Sequence, residues 1–201
     1  LLARVARDQI VVAAAAYVTQ REFCSEPFRE VIAAVPDLHT LDVLVAGGAY
    51  GSEFAARWEV YLAHRERGFV GARAIGASFH DRVAAATAIA GGSLDLALVR
   101  YNPAHPGAQR DLFPHLPATR RTRVLGFTST GAYKAAPAVA DDVWLPELTD
   151  HYRFALSRPE LDGLLCSPTQ PAHVGELAAA MAEGPLSIAE QEHMIELALA
   201  H

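Results

Sequence analysis

Two hydrophobic patterns alternate along the chain. Short, continuous apolar runs are typical of strands buried on both faces, and apolar side chains spaced three or four residues apart are typical of helices that cover a sheet. The first pattern predicts strands at residues 9–17, 41–48, 72–79, 94–101, 123–130 and 163–167. The second predicts helices at residues 26–35, 52–67, 81–90, 110–116, 150–157, 171–183 and 187–200.

This alternation of strands and helices predicts an α/β fold around a parallel sheet. No Gly-x-Gly-x-x-Gly follows any predicted strand, which argues against a dinucleotide fold of the doubly wound type. Six strand–helix units are fewer than the eight of a closed β/α barrel, which usually takes about 250 residues. We therefore expect one domain over residues 1–201, of (β/α)8 TIM-barrel type but with about six units.

Composition narrows the classes of function. The chain has 201 residues, is 51% hydrophobic and carries a formal net charge of −6, so neither nucleic acid nor an acidic membrane is an expected partner. No signal peptide is visible, and the apolar run at residues 10–17 is far shorter than the ~20 residues of a membrane span. Cys24 and Cys166 are isolated, and no histidines show metal-ligand spacing, so we expect a reduced, cytoplasmic protein without a metal.

Four segments, in this order, carry a resemblance to a known family. They are ARAIGASFHDR at residues 72–82, VRYNPAHPGAQRDLFPHLP at 99–117, RVLGFTST at 123–130 and the stretch from 151 to 187 that includes GLLCSPTQPAHVGEL. They resemble the fifth to eighth strand regions of the aldo/keto reductase superfamily. RDQIVVAAAAY and LDVLVAGG extend the similarity to the third and fourth strands.

The resemblance implies a barrel that binds NADP or NAD across the carboxyl ends of its strands. It also implies that the first two strand–helix units, with the family's catalytic aspartate and tyrosine, are absent from this chain. Either the sequence is a fragment or the protein is short. A short chain would need a homo-oligomer or a partner chain to cover its open strand edge.

Residues that drive hydride transfer in the family are replaced here. The family's lysine matches Ala15, and the only lysine of the chain, Lys134, follows the seventh strand of the family's order. The family's histidine falls in the region of Gly47 and Gly48. Tyr50, in AYGSE, is either a displaced catalytic tyrosine or a loop residue that precedes a helix cap.

The resemblance also implies a thinned set of cofactor contacts. Ser78 matches the residue that holds the nicotinamide carboxamide, but the neighbouring asparagine is Phe79 and the expected glutamine is Leu98. Phe127 takes the place of the stacking aromatic ring. Ser167, Thr169 and Gln170 match the adenosine segment, where no Arg or Lys is present to pair with a 2′-phosphate, so NADPH is weakened more than NADH.

Polar side chains follow two predicted strands. His80, Asp81 and Arg82 come after 72–79, and Arg100, Tyr101, Asn102 and His105 lie at the end of 94–101. Carboxyl ends of barrel strands carry the chemistry in this fold, so we expect proton transfer at His80 or His105 and an anion clamp at Arg100. The alternative is structural, with Asp81 as a helix cap and Arg100 in an ion pair.

Three functions fit these observations. The first is a diverged protein that binds a small metabolite, anionic or carbonyl-bearing, and has lost or altered hydride transfer. The second is an NAD(P)H-dependent carbonyl oxidoreductase whose aspartate and tyrosine lie in a missing segment. The third is a non-catalytic scaffold or oligomer partner, with the helix at 187–200 as its docking element.

Overall fold

The computed structural model describes residues 4–48, 53–131 and 144–200. Its strands are β1 (Ala13–Ala16), β2 (Val43–Ala46), β3 (Ala74–Phe79), β4 (Leu96–Arg100), β5 (Arg123–Phe127) and β6 (Gly163–Leu164). Its α-helices are α1 (Glu26–Ala34), α2 (Glu53–Arg67), α3 (Arg82–Ala90), α4 (Ala108–Asp111), α5 (Leu148–Leu156), α6 (Pro171–Glu183) and α7 (Ile188–Leu199).

The six strands form one sheet in chain order, from β1 to β6. β1 pairs in parallel with β2, β2 with β3 and β5 with β6. Parallel neighbours joined by helices confirm the predicted α/β fold of TIM-barrel type with six strand–helix units. Every predicted strand is present but shorter than its apolar run, because hydrogen-bonded pairing stops before the apolar residues do. In β1, for example, a 3-10 turn at Arg7–Gln9 occupies the start of the predicted strand.

Contacts divide the chain into two compact units. Unit 1 comprises Leu1–Leu98 with Pro117–Arg123, and unit 2 comprises Val99–Leu116 with Val124–His201. The expectation of a single domain stays a prediction, and the two units are described separately below.

Aromatic side chains fill the space between the sheet and the helices of unit 1. The ring of Tyr61 on α2 stacks on Trp58 at 5.8 Å and meets Phe28 of α1 edge-on at 5.7 Å. Phe54, at the start of α2, reaches Phe79 of β3 at 6.2 Å. Burial of such large rings helps to hold α1 and α2 on the sheet.

Aspartates organise the amino ends of the strands in unit 1. Asp42, just before β2, accepts hydrogen bonds from the Val12 amide (2.8 Å), Arg7 (2.7 Å) and Arg73 (2.8 Å). Burial alone would raise the pKa of Asp42, but these hydrogen bonds outweigh it and the pKa is lowered. A buried carboxylate with charged and amide donors fixes the start of a strand without leaving an unpaired charge.

Unit 2 has its own aromatic core. The Tyr101 ring stacks on Phe154 of α5 at 5.1 Å and meets Phe113 edge-on at 5.1 Å. α7 begins with a capping box, in which Ser187 accepts from the Glu190 amide and Glu190 accepts from the Ser187 amide. The predicted helix at residues 187–200 is therefore confirmed as Ile188–Leu199.

Candidate functional site

A buried arginine holds the carboxyl ends of β1 and β2 in unit 1. Arg57, on the second turn of α2, is 2% exposed. Its guanidinium donates to the carbonyl oxygens of Val18 (3.1 Å), Gly47 (3.0 Å) and Gly48 (3.3 Å). The planar fork of an arginine suits several carbonyls at once, which an ammonium cannot match. Sequence reasoning missed Arg57, because an arginine in an amphipathic helix looks like any solvated residue.

The positions that the resemblance matches to the family's lysine and histidine are in β1 and just after β2, in unit 1. Ala15 is on the exposed face of β1 and offers only a methyl group. Tyr17, two residues further along that face, lays its ring against Gly47: a Cβ at Gly47 would stand 2.5 Å from the ring. Gly48 has a φ of +63°, a backbone conformation that side chains rarely adopt. Neither glycine offers a side chain that could donate a proton, and the exposed Tyr17 ring fills the space beside Gly47. Tyr50 and Lys134 lie outside the described residues.

The end of β3 carries the predicted residues Ser78 and His80. Ser78 is buried, and Phe79 turns instead toward Phe54 of α2. His80 is exposed. Asp81 accepts from the Ala84 amide at 2.9 Å and so caps α3, which confirms the structural alternative for this residue.

Unit 1 also contains an open pocket of about 310 Å³. Its lining comes from the segment after β1 and from the first turn of α2: Thr19, Gln20, Arg21, Glu22, Glu53 and Ala56. Five of these six side chains are polar. The volume is at the lower end of the range for small-molecule sites, and the polar lining suits a hydroxyl-rich or charged metabolite.

In unit 2, the predicted residue His105 belongs to a short hydrogen-bonded relay. Its Nδ1 lies 3.0 Å from Oδ1 of Asn102, and Nδ2 of Asn102 donates to the Thr128 carbonyl at 2.8 Å. Asn102 is 1% exposed, while His105 is half-buried. Thr128 follows β5 with a φ of +54°, a strained conformation for a β-branched residue and a frequent companion of functional sites.

The other residues predicted near His105 have different surroundings. Tyr101 is fully buried, stacks in the aromatic core of unit 2 and bonds through its hydroxyl to Gln109 Nε2 at 2.7 Å. Burial raises the pKa of this phenol, against the opposing effect of the Gln109 hydrogen bond. Its contacts are those of a packing residue. Arg100, the last residue of β4, is half-buried.

A second histidine of unit 2, His151, lies on α5 and is buried. Burial lowers its pKa, opposed by the nearby Asp150 and by a hydrogen bond to the Ser129 backbone. Helical spacing places residue 151 on the same face as Phe154 and Ala155, which are also buried.

The predicted adenosine segment lies at the start of α6 in unit 2. Ser167, Thr169 and Gln170 are all exposed, and the Thr169 amide is 3.3 Å from Nδ1 of His173. Helix α6 contains no Arg or Lys, and its last turn has no basic residue. From residue 159 to the end, the sequence contains no Arg or Lys but seven Asp and Glu residues. The N-terminus of α6 favours binding of one phosphate group. The surrounding Asp and Glu carboxylates oppose binding of a second phosphate group.

Within the described residues, no group of three His, Cys, Asp or Glu side chains could hold a metal ion. Among the described helices, none is long and apolar enough to cross a membrane.

Comparison with known proteins gives the fold. Matching solved structures include an aldo-keto reductase from Bacillus halodurans (13% identity over 96% of this chain and 74% of that chain, TM-score 0.71) and an aldose reductase from Giardia lamblia (13%, 98% and 74%, 0.67). A thermostable aldo-keto reductase in complex with the inhibitor epalrestat also matches (16%, 98% and 74%, 0.67). No protein-family model and no curated protein matches the sequence. The resemblance seen in the sequence is thus confirmed at the level of fold: this chain has the fold of the aldo-keto reductases.

Proposed function

We propose that the chain is a diverged member of the aldo/keto reductase superfamily that binds a small carbonyl-bearing metabolite at the carboxyl ends of its strands. It moves protons there and does not transfer hydride. His105 of unit 2 is the proposed proton-transfer group, with Arg100 as the proposed anion clamp. Arg100 and His105 were both expected in these roles from the sequence.

The residues at two matched positions carry this proposal. The position matched to the family's lysine is the exposed Ala15, and the position matched to its histidine is occupied by Gly47 and Gly48. None of these residues has a side chain that could donate a proton to a carbonyl oxygen. Loss of assisted protonation of a carbonyl oxygen is commonly worth ~10²–10⁴-fold in rate. Hydride transfer without it would be slow.

The fit of a nicotinamide cofactor is partial. Ser78 and Phe127 retain side chains that suit a carboxamide and an aromatic ring. Exposed Thr169 and Gln170 precede a helix N-terminus that suits one phosphate. The acidic C-terminal stretch offers no cation for a 2′-phosphate, so NADPH fits less well than NADH. We propose that any bound nicotinamide cofactor is NADH and that it is not turned over.

Titration and turnover test the proposed function together. NADH and NADPH are titrated while nicotinamide fluorescence is followed, and reduction is then assayed on a broad panel of aldehydes and ketones. The expected result is no reduction, with NADPH bound more weakly than NADH. Proton transfer is measured as deuterium uptake by hydroxyacetone in D2O, and loss of uptake in His105→Asn is expected. Steady reduction of any carbonyl compound at enzymatic rates would refute the proposal in favour of the oxidoreductase.

A homo-oligomer is a separate proposal, which the exposure of β1 supports. β1 is the first strand in the sheet order, and one of its faces displays Val11, Ala13, Ala15 and Tyr17, all exposed. Such an apolar row beside a strand edge favours a covering partner. Light scattering on purified chain gives the mass in solution. The monomer mass at micromolar concentration would contradict this proposal without touching the one about chemistry.

A further inference from the structure

We infer that Asn102 is a positioning residue that holds neutral His105 in the tautomer protonated on Nδ1, which makes Nε2 the proton-accepting nitrogen. The inference rests on the proposed function for its use in chemistry, but its geometry stands on unit 2 alone. The sequence places Asn102 among the polar residues at the end of a strand, but it does not show that Asn102 contacts His105.

The orientation of the Asn102 amide is fixed by its neighbour. The Thr128 carbonyl, 2.8 Å away, can only accept a hydrogen bond, so the atom that faces it is the NH2 group. The opposite atom, Oδ1, therefore faces Nδ1 of His105 at 3.0 Å. An amide oxygen can only accept, so Nδ1 of a neutral His105 carries the hydrogen. In the neutral ring the lone pair is then on Nε2.

Both ends of the relay are held by main chain. The His105 amide donates to the Asn102 carbonyl at 2.9 Å, which closes a turn that contains Pro103. The Thr128 carbonyl also accepts from the Gly131 amide at 3.0 Å, which fixes its direction. Asn102 is 1% exposed, so water cannot readily replace either of its hydrogen bonds. Rotation of the amide would bring two carbonyl oxygens together, which is strongly disfavoured.

The arrangement has a chemical consequence for a ketone bound beside His105. Nε2 takes a proton from the carbon next to the carbonyl: the C–H bond breaks, an N–H bond forms, and the electron pair moves onto the carbonyl oxygen. The imidazolium then keeps its Nδ1–H bond to Asn102. Return of a proton from Nε2 restores the ketone, with deuterium incorporated when the solvent is D2O. A base with the wrong tautomer cannot begin this cycle.

Two variants at one position separate positioning from general structure. Asn102→Asp and Asn102→Leu both lose the donor to Thr128, but only the aspartate keeps an oxygen to accept from Nδ1. Long-range ¹H–¹⁵N spectra of ligand-free protein, at a pH where His105 is neutral, report which nitrogen is protonated. We expect Nδ1–H in the wild type and in Asn102→Asp, and a shift of the population toward Nε2–H in Asn102→Leu. Circular dichroism confirms that each variant is folded.

The outcomes distinguish this inference from the proposed function. An Nε2–H wild type, or an unchanged tautomer in Asn102→Leu, would overturn the positioning role whatever the protein binds. With the tautomers as expected, hydroxyacetone exchange should fall about tenfold to a hundredfold in Asn102→Leu, less than the ~10²–10⁴-fold expected on loss of the base itself. If the tautomers are as expected but the wild type does not exchange deuterium into hydroxyacetone, Asn102 remains a positioning residue. Proton transfer is then refuted as the function.

Discussion

Replacement of Arg57 by methionine tests the account of the carboxyl ends of β1 and β2. Methionine has a similar length but donates no hydrogen bond, so three carbonyls lose their donor. The Gly47 contact is fully buried and should count in full, at about 1.5–3 kcal/mol for a charged donor. The contacts to Val18 and Gly48 are partly buried, so water replaces them and each contributes less than about 1 kcal/mol. We expect a loss of about 2–4 kcal/mol in the free energy of unfolding.

Urea denaturation followed by circular dichroism and by tryptophan fluorescence measures this loss, provided that the two transitions coincide. Arg67→Met is the matched control, because Arg67 is exposed at the end of the same helix and its loss should change stability by less than about 0.5 kcal/mol. Arg57→Lys, which keeps the charge but not the fork, should fall between them. Equal stability of Arg57→Met and Arg67→Met would show that the cost of burying the guanidinium cancels its hydrogen bonds, and would refute the reasoning.

Three further predictions concern stability. Asp42→Ala should lower the free energy of urea unfolding by about 1–3 kcal/mol, because the Val12 amide loses its acceptor. Arg73→Ala should lower it by less than about 1 kcal/mol, because that side chain is 78% exposed. Similar losses in the two variants would contradict this ranking. Burial lowers the pKa of His151 in the folded protein below its ordinary value of 6.5, so below pH 6.5 the unfolded chain binds more protons than the folded one. Stability should therefore decline as the pH falls from 6.5 toward the folded pKa. His151→Gln should flatten the dependence of melting temperature on pH, and an unchanged slope would reject this assignment. Gly76→Ala should lower the free energy of unfolding by about 1–3 kcal/mol, because the new methyl group would lie 2.8 Å from the Leu96 carbonyl oxygen. Gly47→Ala should cost less, because its methyl group meets only the exposed ring of Tyr17, which can turn away. Equal melting temperatures of the two variants would disprove the distinction.

The order of strands and helices could be predicted from the sequence because each element buries its own apolar pattern. The helix at Pro171–Glu183 was predicted with its observed ends, since proline favours the first helical position and Gly184 follows the last. Strand ends were predicted too long. The apolar run at residues 9–17 gave no sign that only Ala13–Ala16 pairs with β2, because pairing depends on the neighbouring strand.

The candidate site was less predictable, and for a different reason. His105 and Asn102 were both identified among the polar residues at the end of a strand, but the hydrogen bond between them was not predicted, since an amide near a proline is typical of any turn. Arg57 was missed because its partners are carbonyl oxygens, which every residue carries. Tyr101 was expected at the site because it ends a strand, yet its ring belongs to the aromatic core of unit 2. Contacts across the fold decide these cases, and a single sequence does not encode which residues meet.

The proposed site and the residues that hold the strands together lie at opposite ends of the strands, so the proposed change of chemistry is compatible with an unchanged fold. A Leu–Asp pair precedes β2, β4 and β6, at residues 41–42, 94–95 and 161–162. Each aspartate accepts an amide hydrogen bond from the region of the preceding strand, at 2.8, 3.0 and 2.8 Å. These bonds join neighbouring strands within each unit at the amino ends, where barrel residues serve stability. Ala15 of β1, which the resemblance matches to the family's lysine, lies beyond them. The proposed loss of hydride transfer therefore removes no contact that joins the strands.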